Sequence, residues 1–165
     1  MKNKNIEIID NYLSKIDLEK IKNIIFDEYF SWYFIKGISE DTIKIKNQFY
    51  YVHMLYRSDE INSNYFKDII SIFSKNKFWN SLYRVKVNSY PNNNFVEHPY
   101  HTDFNFRHNA ALFLLNTCDG YTKFEDGTKV DSIENRMIFF DPTIKHSSTN
   151  TTNADRRINI NFNYF

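Results

Sequence analysis

Hydrophobic and polar positions in this chain follow two periods, and the change of period divides it near residue 82. In the first stretch Ile6-Glu7-Ile8-Ile9 reads as a short strand. Leu18, Ile21, Ile24, Ile25 and Phe26 then recur at helical spacing, with Asp17 the expected N-cap. Phe49 to Tyr56 is an aromatic and β-branched run, hence a strand. Tyr65, Phe66, Ile69, Ile70 and Phe73 predict a second helix, with Asn64 as its cap. From residue 82 onward short strands and turns dominate. Strands are predicted over Leu82 to Tyr90, Tyr100 to Phe104, Asn109 to Leu115, Tyr121 to Phe124, Lys129 to Ile133, Arg136 to Phe140, His146 to Thr149 and Arg157 to Phe165. Turn signals such as Tyr90-Pro91-Asn92, Asp119-Gly120, Asp126-Gly127 and Asp141-Pro142 separate them. Eight short strands so spaced predict a double-stranded β-helix, or jelly roll. The expected class is α+β, mainly β, with two helices packed outside the sheet. No repeat, linker or low-complexity stretch suggests a division, so residues 1–165 are expected to form one domain: support from 1–81, jelly-roll core from 82–165.

The last strand carries the clearest alternation. Ile158, Ile160, Phe162 and Tyr164 fall on one face, and Arg157, Asn159, Asn161 and Asn163 on the other, which leaves Arg156 on the apolar side. On the strand from Leu82, Arg84, Lys86, Asn88 and Tyr90 share a face opposite Val85 and Val87. Such a polar face usually meets solvent, but inside a jelly roll it would line a pocket, with Tyr90 and Asn88 the first candidates to touch a ligand.

Composition narrows the classes. The chain has 165 residues, long enough for a sizeable core, and 18% aromatics, with 16 Phe and 12 Tyr, favour a β-rich interior. A formal charge of +1 supplies no basic surface for nucleic acid or membrane. The one cysteine, Cys118, excludes an internal disulfide and fits a reducing compartment. Met1-Lys2-Asn3-Lys4-Asn5 leads into mixed polar sequence and reads as no signal peptide, and no apolar run approaches a membrane span, so a soluble cytoplasmic protein is expected. Three glycines provide no phosphate-cradling loop.

The chemistry is concentrated in His101-Thr102-Asp103, His146 and Arg157. Residues i and i+2 of an extended segment share a face, so His101 and Asp103 can reach one metal ion, and His146 follows the apolar run Met137 to Phe140 at the start of another short segment. Two imidazoles and a carboxylate on one face of Fe(II) leave the opposite face for a co-substrate and O₂. An H-x-D triplet alone is a weak signal, and His98 is an alternative to His101 that lacks a carboxylate two positions on. Arg157, aimed into the same pocket, would hold a carboxylate by a bidentate pair, with Asn159 and Asn161 beside it. His53 and His108 are expected to be packed or exposed, and no Ser or Cys has a nucleophile's context.

From Val87 to Phe165 the chain resembles the catalytic core of 2-oxoglutarate/Fe(II)-dependent oxygenases of the prolyl-hydroxylase type. The match rests on Tyr90-Pro91 ahead of His101-Thr102-Asp103, on Leu115-Asn116, on Gly120 to Phe124, and on a last strand that opens with Arg157 and ends in aromatics; Asn116 to Asp126 is similar to small phage-encoded members. The resemblance implies Fe(II) held by His101, Asp103 and His146, 2-oxoglutarate held by Arg157 and O₂ as oxidant, with Tyr90 a second pocket tyrosine. It also implies a peptide, prolyl or small amino-acid-like substrate, acted on in the cytoplasm, which would be the host's for a phage protein. One departure stands out: Leu114 occupies the place of a family tyrosine that helps hold the carboxylate, so another donor must replace it or Arg157 acts alone. A nucleic-acid dealkylase shares the triad, but its final-strand motif ends in an arginine where this chain has Asn163. A non-catalytic jelly-roll binding or structural module, for instance in a virus particle, has no need of all four site residues. The strand Phe49 to Tyr56, the loop 91–99 and the segment Phe104 to His108 are expected to ring the mouth of the site.

Overall fold

The computed structural model describes residues 6–37, 48–77, 79 and 81–165; Met1 to Asn5, expected above not to be a leader, lie outside them. In chain order the elements are β1 (Ile6–Ile9), α1 (Lys15–Ile25), β2 (Tyr33–Lys36), β3 (Phe49–Arg57), β4 (Glu60–Ile61), α2 (Phe66–Phe73), β5 (Leu82–Pro91), β6 (Asn109–Leu114), β7 (Tyr121–Phe124), β8 (Lys129–Asp131), β9 (Arg136–Phe140), β10 (His146–Ser148) and β11 (Arg156–Tyr164). The jelly roll is formed by a large antiparallel sheet in the order β1-β9-β6-β11-β5-β3-β2, with β4 paired to β3, facing a small sheet in the order β10-β7-β8. No helix among the described residues is long and apolar enough to cross a membrane.

Strand β11 runs through the middle of the large sheet, paired to β5 on one side and β6 on the other. Its alternation is realised as read. Ile158, Ile160 and Phe162 face the helices and pack with Val85, Val87, Phe113, Ile21, Ile69 and Phe73 in the main core. Arg157, Asn159, Asn161 and Asn163 face the interior of the jelly roll, all 5% exposed or less. The register places Arg157 opposite Tyr90, Asn159 opposite Asn88, Asn161 opposite Lys86 and Asn163 opposite Arg84. Directly opposed residues share a face. The polar faces of β5 and β11 therefore meet inside, and neither is the solvent-facing surface such a pattern usually marks. Beside them Ala110, Leu112, Leu114, Phe124, Val130, Ile138 and Phe140 form a second, apolar cluster.

Several boundaries differ from the expected ones. Ser14, not Asp17, caps α1: its hydroxyl accepts from the Asp17 backbone N–H at 3.1 Å and donates to the Asp17 carboxylate, so Asp17 occupies the third helical position of a reciprocal cap. Helix α2 begins after Tyr65 and has no side-chain cap; Asn64 plays no such part, and Ser63 accepts from the Tyr65 N–H instead. The stretch Tyr100 to Phe104 is not a strand. It touches the small sheet through an isolated bridge, His101 to His146, and ahead of the stretch Glu97 makes another to Thr149, just past β10. Two short strands, β2 and β4, went unread. Both are edge strands with mostly exposed side chains and so lack the alternation that betrays a strand with one buried face.

Candidate active site

His101 and His146 are brought together by reciprocal backbone hydrogen bonds, His101 N–H to His146 C=O at 3.0 Å and His146 N–H to His101 C=O at 2.9 Å. Their rings lie 4.7 Å apart. Each ring donates from Nδ1 to the carbonyl two residues earlier, Pro99 for His101 and Ile144 for His146, both at 3.3 Å. That bond fixes the tautomer and presents a bare Nε2, the form a metal requires. Burial, then the neighbouring His146, pulls the His101 pKa down to about 4, and burial lowers that of His146, so both rings are neutral near pH 7. One ligand atom from each of His101, His146 and Asp103 lies within 4.8 Å of the others.

Asp103 completes the cluster from below. Arg84 Nη2 meets its Oδ1 at 2.9 Å, and the Asn163 and Asn161 amides donate to Oδ2 at 2.8 and 3.2 Å. A carboxylate offers roughly four lone-pair sites. Three are taken, which leaves one for a metal. Burial opposes ionisation, yet Arg84, the other nearby cations and Asn163 hold the Asp103 pKa far below the usual carboxylate range. Arg84 in turn is held by Asn163 Oδ1 at 3.0 Å and lies over the Phe104 ring, 4.4 Å from its centroid.

Above the cluster is a small cavity of about 40 Å³ whose walls include Lys86, Asn88, Tyr90, Asn159, Asn161 and Thr122. At its far end, behind Thr122 and Tyr90, is Arg157, fully buried. Its Nη1 donates to the Thr149 carbonyl at 3.2 Å and its Nη2 to Thr122 Oγ1 at 2.8 Å, while Nε has no partner. The Tyr90 ring is 5.7 Å from the guanidinium carbon. Arg156 lies on the opposite face, against the Phe26 and Trp32 rings.

This chain is similar to a Trichoplax adhaerens prolyl hydroxylase solved in complex with a hypoxia inducible factor oxygen degradation domain peptide fragment, at TM-score 0.69 and 19% identity over 98% of this chain and 83% of that one. It is similar also to a 2OG-Fe(II) oxygenase family protein from Burkholderia pseudomallei, at TM-score 0.65 and 11% identity over 97% and 85%. A third is the viral collagen prolyl hydroxylase of Paramecium Bursaria Chlorella virus-1, at TM-score 0.53 and 17% identity over 98% and 90%. The fold is that of the 2-oxoglutarate/Fe(II) oxygenases. No family model and no curated protein matches the sequence.

Within this oxygenase fold the expected residues fall as follows. His101, Asp103 and His146 converge; Asn88, Asn159, Asn161 and Tyr90 line the cavity; Arg157 lies behind its Thr122 and Tyr90 walls. His98 stands outside the cluster, its Nδ1 hydrogen-bonded to Gln48 Oε1 at 2.8 Å. His53 is packed, held by the Ser31 carbonyl and Ser63 hydroxyl. The segment Phe104 to His108 lines a separate groove of about 790 Å³ that also includes Thr102 and Phe140, and Phe140 is a wall of the cavity as well. Sequence places Arg84 and Asn163 on polar strand faces but gives no sign that they hold Asp103, and Thr122 and Thr149 beside Arg157 went unread. Polar side chains at alternating positions of β5, β7 and β11 are the available signal for Arg84, Thr122 and Asn163, whereas Thr149, just past β10, acts through its backbone carbonyl.

Proposed function

We propose that this protein is an Fe(II)- and 2-oxoglutarate-dependent oxygenase that hydroxylates a C–H bond of a peptide, prolyl residues included, or of a small amino-acid-like molecule. The observation that carries the reading is the alignment of two unusual groups across one cavity. Three metal-competent donors converge at one end, and behind the Thr122 and Tyr90 walls a fully buried guanidinium uses two of its N–H bonds and leaves Nε orphaned. Burying a cation so sparsely paired is costly unless a ligand completes it. A dicarboxylate that chelates a metal with one end and meets Arg157 with the other does so.

His101, His146 and Asp103 would hold Fe(II), and a bound Fe(II) with 2-oxoglutarate and O₂ supplies the oxidising chemistry, releasing succinate and CO₂. The chain's own part is placement. Arg84, Asn161 and Asn163 keep Asp103 ionised and aimed; Pro99 and Ile144 carbonyls keep both imidazoles in one tautomer. Thr122 accepts from Arg157 and retains its own hydroxyl proton, so it is the donor that replaces the tyrosine missing at Leu114, which is buried in the apolar cluster. The cavity of about 40 Å³ holds roughly one or two water-sized groups, fewer than a five-carbon dicarboxylate needs. Binding therefore requires it to lengthen toward Arg157. The groove beside Thr102 is the approach we assign to the C–H substrate.

The test is direct. Purified protein with Fe(II), 2-oxoglutarate and O₂ should form succinate, and candidate peptides or amino acids should gain the mass of one oxygen. A protein that binds no divalent metal and makes no succinate with any of them is not an oxygenase.

A further inference from the structure

Lys86 is the long cationic side chain that the oxygenase reading leaves unused. It lies on β5 opposite Asn161, on the level of the metal ligands and four residues from Tyr90, roughly 13 Å along the strand from the Arg157 end. It lines the same cavity as His101, Asp103 and His146. Its neighbour Arg84 is fully committed to Asp103, Asn163, Asn161 and the Phe104 ring. Lys86 makes no hydrogen bond or ion pair among the described residues; its Nζ lies 5.7 Å from the Tyr50 ring centroid.

Charge in the loaded site shows what this ammonium lacks. Asp103 and Arg84 cancel, and a divalent metal with Arg157 takes up both charges of a dicarboxylate with one positive charge to spare, to which Lys86 adds another. The two co-substrate carboxylates already have partners in the metal and Arg157. A half-buried cation that lines this cavity with no partner of its own calls for a further anion. Burial also pushes the Lys86 pKa down to about 7, which an arriving anion would reverse.

Resting on the oxygenase reading, we propose that Lys86 anchors a carboxylate of the substrate, so that this enzyme acts on a free acid: an amino acid, or a peptide presenting a carboxylate next to the reacting carbon. The co-substrate is the other possible source of that carboxylate, and the experiment separates the two. Mn(II)-loaded protein without O₂ is titrated first with 2-oxoglutarate, then, with it saturating, with N-acetyl amino acids as free acids and as their C-terminal amides. In the wild type the best-binding acid should bind about tenfold to hundredfold more tightly than its amide, the range of one charge-assisted hydrogen bond. Lys86→Met should bring acid and amide to the same affinity, Lys86→Arg should restore the preference, and 2-oxoglutarate affinity should change less than about threefold in either, as expected for a cation that does not touch it.

Equal affinity for acids and amides in the wild type, or binding of neither, overturns the proposal. So does a tenfold or greater loss of 2-oxoglutarate affinity in Lys86→Met, which would give the ammonium to the co-substrate. If the wild type binds no 2-oxoglutarate, the oxygenase reading itself fails, and the acid-against-amide comparison on the 2-oxoglutarate-free protein then decides Lys86 alone. Because burial outweighs the ammonium's attraction to Asp103 and lowers its pKa, the charge is a net cost to stability, and Lys86→Met should melt at or above the wild-type temperature. A lower melting temperature would mark Lys86 as structural and overturn the assignment.

Discussion

Replacing Arg157 by methionine tests the co-substrate end of the cavity, and the structure sets the size of the effect. The guanidinium is fully buried, with hydrogen bonds only from Nη1 to Thr149 and from Nη2 to Thr122. If a carboxylate completes its shell, the pair forms out of contact with water, where loss of one partner costs about 3–5 kcal/mol. At 1.36 kcal/mol per factor of ten, 2-oxoglutarate should bind roughly 150- to 5000-fold more weakly. Were Arg157 meeting the ligand only at a solvated rim, the loss would stay below about 1 kcal/mol, or fivefold. Calorimetric titration of Mn(II)-loaded protein without O₂ separates the two regimes. Arg156→Met is the control, since that side chain lies on the opposite face against Phe26 and Trp32 and should change affinity less than about twofold, as for a distant independent site. The 2-oxoglutarate-free Arg157→Met protein should keep its stability, because the lost hydrogen bonds and the relieved burial of a cation oppose each other. A loss under tenfold, or an equal loss in Arg156→Met, would refute both the strand register and the role.

Three further outcomes are expected. His101→Ala and Asp103→Ala should each abolish binding of Mn(II) without unfolding the protein, and full metal occupancy in the double variant would remove the metal assignment. Gly120→Ala would place a Cβ 2.5 Å from the Asn150 carbonyl oxygen and 2.6 Å from Arg157 Cδ, so it should displace Arg157, cost about 1–3 kcal/mol in urea denaturation and weaken 2-oxoglutarate binding; no change in either measurement would show that the arginine does not need that passage. Lys86, at about 7 in the folded state against 10.5 unfolded, is a base with a depressed pKa: its cost is fully present below pH 7 and is relieved as pH rises, so metal-free protein should gain stability between pH 7 and 9 by up to about 1.4 kcal/mol per pH unit, and Lys86→Met should lose that gain; an unchanged slope in the variant would place the ammonium in water.

Much of the site was legible because its two halves obey a period of two. Arg157, Asn159 and Asn161 were assigned to one face of a strand by alternation with Ile158, Ile160 and Phe162, and the structure puts them there. The His101 and Asp103 pair was argued from extended backbone; their side chains do converge, but through a different geometry. The segment turns after one bridge, and Asp103 is drawn to Arg84, Asn161 and Asn163 on the neighbouring strands. What stayed hidden was pairing across the fold. Nothing near Arg84 in sequence announces that its counter-charge stands nineteen residues on, and Gly120, read as a turn signal, is small because Arg157 passes against it. The Ser14 cap was missed for a local reason: Asp17 is itself a good capping residue, and only the reciprocal bonds show which of the two closes the helix.

The same strand that carries the polar site also carries the middle of the main core, and this ties the two together. Phe162 packs between Phe73 of α2 at 4.9 Å and Trp79 at 4.9 Å, while Ile158 and Ile160 are wholly buried beside it. A slip of β11 by one residue against β5 and β6 would turn every side chain over, carrying isoleucines into the metal cavity and asparagines into the core. Burial of three large apolar residues on the helix side thus sets which way Arg157, Asn159 and Asn161 point. No helix residue is among those that line the cavity, yet the helices supply the apolar surface that makes one register much better than its neighbours. A truncation such as Phe73→Ala, which costs about 3–5 kcal/mol in a packed core, should therefore loosen co-substrate binding as well as stability, through the strand and not through the site.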